Sequence, residues 1–124
     1  MSGTINPDNP IQQLRIQEIN RVGEQICFVL KADYKELFFN KPKGVTYKIE
    51  YRWARVMITF VCKEYYKIPL TTLVKYFGWT STIISRYKNN FDTFYEDPIF
   101  RKLFLESLKY LKINRSLLDL PYYE

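Results

Sequence analysis

Within ten positions the chain sets out Thr80, Ser81, Thr82, Ser85, Arg86, Lys88 and Asn89. Hydroxyls and amides exchange hydrogen bonds with base edges, and Arg pairs with guanine or with phosphate, so this set has the chemistry of nucleic-acid reading. Catalysis has far less to work with. The sequence holds no His, the usual general base at neutral pH, and no close pair of carboxylates in an apolar setting. Glu96-Asp97 reads as a cap and a helix-terminal charge. Cys27 and Cys62 stand apart among apolar neighbours and read as reduced core residues, not as zinc ligands. Of the four Gly (Gly3, Gly23, Gly44, Gly78), none precedes a Gly-Lys-Ser/Thr phosphate loop. The expectation is no catalytic residue, no metal, no cofactor and no nucleotide.

Charge concentrates around the same region. Residues 41–88 carry ten Lys or Arg against two acids (Glu50, Glu64), a net of +8, while the rest of the chain carries nine basic and eleven acidic groups, a net of −2. A basic block inside a folded pattern attracts phosphate, although a solubilising charged face has the same composition. With 124 residues and 47% hydrophobic content the chain should form one globular domain. No apolar run approaches the roughly 20 residues of a membrane span. The start lacks a basic-then-apolar signal pattern, so a cytoplasmic location is expected.

These residues must be positioned by helices. Residues 1–10 are polar and turn-forming, and read as a flexible arm. Ile19, Val22, Ile26, Val29 and Leu30 then recur at the spacing of one helix face over residues 11–31, despite Gly23. Asp33 with Glu36 has capping-box spacing and should start a short helical turn carrying Leu37 and Phe38. A basic loop follows, with Lys41, Lys43 and Lys48, extended by Arg52. Trp53, Val56, Met57, Phe60 and Val61 form the best-defined stripe. Pro69 predicts a break near Ile68. Leu70, Leu73, Val74 and Phe77 predict a helix of about two turns, closed by Gly78. Thr80 or Ser81 should cap the next helix, whose inner face is Ile83, Ile84, Tyr87 and Phe91. Asp97-Pro98 starts a last helix with Phe100, Leu103, Phe104, Leu108 and Leu111 inside. A short strand around residues 46–51 is the sole β alternative. The aromatic residues fall mostly on buried stripes, which favours core packing over single-strand stacking. Trp79 is read as a plug of the turn or a stacking residue, and Tyr65-Tyr66 has no assignment. Within the tail, residues 114–124, the stretch 117–123 is apolar for a chain terminus and should fold back onto its own domain or meet a partner.

Leu70 to Asn90 thus has helix-turn-helix form: residues 70–77 brace, Gly78-Trp79 turns, and the reader begins near Thr80. The chain here resembles the C-terminal DNA-binding domain of the bacterial replication initiator DnaA. The shared features are Ala54-Arg55, Lys63-Glu64, the brace Pro69-Leu70-Thr71-Thr72-Leu73-Val74, Phe77-Gly78, Thr80-Ser81-Thr82-Ile83 and Glu96-Asp97-Pro98. With the upstream helix and basic loop, the resemblance spans about residues 16–111. It departs where the family has Asp-His, since Trp79-Thr80 stands there in a shorter turn. Val74 replaces the brace glycine, Thr71-Thr72 replaces its Pro-Glu, and Lys stands in the loop where the family has Arg. The resemblance implies the family's fold and mode of docking, without recognition of its own DNA box.

The reading is an all-α domain over residues 11–113, with five to six helices around one core. It should bind double-stranded DNA as a regulator of replication or transcription, for example on a phage or mobile element. Base contacts fall to Thr80, Ser81, Thr82, Ser85 and Arg86. Phosphate or minor-groove contacts fall to Lys41, Lys43, Lys48, Arg52, Arg55, Thr71 and Lys88. Neutralising about five phosphates predicts a roughly 500-fold affinity loss between 50 and 200 mM salt. The alternatives are a protein-interaction module that kept the fold, with a partner or second copy on the tail, and an RNA binder.

Overall fold

Residues 49–64 form a helix that the rest of the chain encloses on almost every side. Trp53, Val56, Met57 and Val61 are buried, and so are Ala54, Arg55, Ile58, Thr59 and Cys62 between them. The structure is a computed structural model and describes residues 9–38 and 48–121. Six α-helices appear among these residues: α1 (Pro10–Leu30), α2 (Ile49–Glu64), α3 (Leu70–Phe77), α4 (Ser81–Asn89), α5 (Phe91–Tyr95) and α6 (Pro98–Leu111), with 3-10 turns at Tyr34–Leu37 and Arg115–Leu117. No strand occurs among them, and the strand alternative fails at positions 49–51 because they form the first turn of α2. The all-α expectation is met. Residues 1–8 of the arm, Lys41 and Lys43 lie outside the described residues, while the arm's last two positions belong to α1, with Asn9 as its cap and Pro10 as its first residue.

Local chemistry sets the helix limits. Asn9 caps α1 by accepting the Ile11 and Gln12 amides, with Pro10 at the first position, where its missing N–H costs nothing. Asp97 caps α6 in the same manner, again followed by Pro. Asp33 accepts the Lys35 amide and starts the 3-10 turn. Gly78 closes α3 at φ 75°, a left-handed conformation that glycine adopts without steric cost. Lys31, Lys67 and Lys112 adopt the same region with φ near 58°. The expected α4 continued to Phe91, but the chain breaks at Asn90 (φ −103°, ψ 8°), and Phe91 opens the separate helix α5.

Around α2, the chain packs α1 on one flank and α3, α4 and α5 on others, while α6 lies against α1 and α5. Rings fill the space between them. Phe91 stacks on Phe60 at 3.8 Å and meets Phe100 and Phe104 edge-on. At the α1 side, Asn20 Oδ1 accepts both the Tyr34 hydroxyl (2.7 Å) and the Tyr76 hydroxyl (2.8 Å), tying α1 to the 3-10 turn and α3. The Tyr34 ring lies directly on Gly23, where a Cβ would run into its Cε1, Cζ and Cδ1 atoms. Gly23 is therefore a packing residue. Leu118 joins the core and Leu120 packs against it, so the tail folds back through these residues, while Leu117 stays exposed. No helix among the described residues is long and apolar enough to cross a membrane.

Candidate nucleic-acid interface

α3 and α4 are joined by Gly78, Trp79 and Thr80, and they pack against each other. Thr80 is the N-cap of α4: its Oγ1 accepts the Ile83 amide at 3.2 Å. That bond occupies the hydroxyl as an acceptor and leaves its hydrogen for any contact to a base. The helix divides cleanly from there. Ile84 is buried and Ile83 and Tyr87 are half-buried, whereas Ser81, Thr82, Ser85, Arg86, Lys88 and Asn89 are all exposed. The expected reader residues thus share one solvent face of this short helix, with Ser81 and Thr82 in its first turn and Arg86, Lys88 and Asn89 in its last. The first four backbone amides of a helix lack intrahelical partners and favour anions, while the two cations of α4, Arg86 and Lys88, stand in its last turn.

Trp79 decides how firmly this end is held. Its ring is 2% exposed, stacks on Phe77 at 4.2 Å and meets Tyr87 edge-on at 5.9 Å. Its indole N–H donates to the Leu37 carbonyl at 2.6 Å. The plug reading of Trp79 holds, and base stacking by this ring is overturned, since no face of it is open to a ligand.

No family model, curated protein or solved structure matches this chain.

Arg55 requires a correction. It was expected on a phosphate or in the minor groove, yet it is 0% exposed. Its position on the enclosed helix α2 turns the side chain inward, where Nη2 donates to the same Leu37 carbonyl at 2.7 Å. The guanidinium lies 4.8 Å from the Trp79 ring centre, a cation–π contact in a dry setting. Arg55 is structural: it fastens the turn before α4 to the segment ending at Leu37. The sequence offered a signal, because an Arg among Trp53, Ala54, Val56 and Met57 stands inside an apolar run, but its expected role came from the resemblance.

The other phosphate candidates fall in two groups. Lys48, Arg52, Thr71 and Lys88 are exposed, at the start of α2, the start of α3 and the end of α4. Lys41 and Lys43 lie outside the described residues. Thr72, beside Thr71, is buried and belongs to the core. Cys27 and Cys62 are free and buried, and burial, with the Asp33 charge as a smaller cause, pushes the Cys27 thiol up to about 12.

Proposed function

We propose that the protein binds double-stranded DNA with the N-terminal turn of α4 in the major groove, as a non-enzymatic cytoplasmic regulator of replication or transcription. The supporting observation is the division of α4. One face is locked to the core through Ile84 and the adjoining Trp79, and the other carries Ser81, Thr82, Ser85 and Arg86 in solvent. A reader helix needs that rigidity, because base contacts discriminate only when side chains arrive in fixed register. Lys48, Arg52 and Lys88 supply exposed cations for the phosphates flanking the groove.

With Arg55 withdrawn from the cationic set, about four phosphates are neutralised. Affinity then falls by roughly 150-fold between 50 and 200 mM salt, from a slope of about −0.9 per phosphate. Fluorescence anisotropy on duplexes selected from a random library measures this. The expected result is an enriched motif and a steep salt response, both lost in Arg86→Ala/Lys88→Ala. No motif and a flat salt response would overturn the reading, and preference for structured or single-stranded RNA would transfer it to another ligand.

A further inference from the structure

Phe28 on α1 and Tyr110 on α6 are 66% and 50% exposed, yet they touch each other edge-to-face at 5.6 Å. Single exposed apolar residues are ordinary, but two large rings that pack on each other in solvent form the centre of an apolar patch. Two adjoining depressions, with volumes of about 570 and 510 Å3, share Glu106 and Tyr110. Val29, Ala32 and Leu105 add aliphatic lining. The charged rim is one-sided: Lys31, Lys102 and Lys109 stand against Glu106 alone, and Glu24, one turn before Phe28, does not line either depression.

We infer that this α1–α6 groove docks a short acidic peptide segment of a partner protein, with an apolar side chain seated beside Phe28 and Tyr110. The rim favours this occupant. A second copy meeting the same face about a two-fold axis would set the three lysines against themselves. Duplex phosphates would find the lysines but would leave two rings and an aliphatic floor wet. Single-stranded bases need open parallel ring faces, whereas here one ring meets the other edge-on. A peptide carrying acids and one apolar anchor satisfies both halves of the groove. The groove is built from α1 and α6, not from α3 and α4, so the inference does not rest on DNA binding.

The test is selection of a displayed random 12-residue peptide library on the intact protein. Enriched peptides should be acidic with one or two large apolar residues, and a synthetic copy should lose at least 10-fold in affinity to Phe28→Ser/Tyr110→Ser. Both sites are exposed, so thermal melting should stay unchanged and exclude unfolding as the cause. Lys31→Glu/Lys102→Glu/Lys109→Glu should reverse the preference to basic peptides. Absence of enrichment, or peptides without acidic bias, overturns the inference. So does a concentration-dependent dimer that Phe28→Ser/Tyr110→Ser abolishes, or oligothymidine binding sensitive to that same variant.

Discussion

At Gly23 two effects of known size oppose each other. Helix propensity favours Ala over Gly by about 1 kcal/mol in a helix interior. Against this, a Cβ at position 23 meets the Tyr34 ring. That ring cannot move away freely, since its hydroxyl is held by Asn20 and its edge packs against Phe38 and Phe77. Overpacking of this kind costs about 1–3 kcal/mol, so Gly23→Ala should lower the melting temperature. Combined with Tyr34→Ala the same change should become stabilising relative to Tyr34→Ala alone, which a double-mutant melting series measures. By periodicity alone Gly23 is a weak point in a helix, because a neighbour distant in sequence leaves no mark on the pattern. Arg55 was misplaced for a related reason: its burial depends on how many helices surround α2, and a one-face stripe does not report enclosure on the other faces.

The elements themselves were far more legible. Capping chemistry is local, so Asp33, Asp97-Pro98, Pro69 and Gly78 marked helix limits that the structure places within a residue or two. The break at Asn90 was not legible, as Asn89-Asn90 is compatible with continuing a helix, and burial of Phe91 among Phe60, Phe100 and Phe104 decides it. At α4, Thr80 is both a candidate DNA contact and the cap. Thr80→Ala removes the acceptor for the Ile83 amide and should cost about 1 kcal/mol of stability in urea unfolding. Thr80→Ser should restore stability. A loss of DNA affinity in Thr80→Ser, which keeps the hydroxyl, would show that the methyl group contacts DNA in addition to the capping role. Phe28 lies off the Ile19–Ile26 face, and that place on a periodic helix is the sequence signal of its exposure.

Across the whole molecule, burial of weak acids links stability to alkaline pH. Cys27 titrates at about 12 in the folded chain against an ordinary 9, and burial raises Cys62 and Tyr34 further above their ordinary values. The folded state therefore holds protons that the unfolded chain releases. The unfolded state binds fewer protons above pH 9, so stability is fully present below that point and falls as pH rises toward 12. Urea midpoints should be level from pH 7 to 8.5 and decline steadily from pH 9 upward. Both thiols should resist a disulfide reagent at pH 8 until the chain is unfolded. Rapid thiol modification of the native protein would contradict the buried placement of these residues.

The stack around Trp79 has an optical consequence. The chain has only Trp53 and Trp79, both buried, and the second adjoins a guanidinium and the turn that leads into α4. Indole emission responds to nearby charge, so Trp53→Phe would leave a single indole, excited apart from the tyrosines at long wavelength, next to α4. Any ligand that strains or tightens that turn would announce itself as a change in emission, with no dye attached.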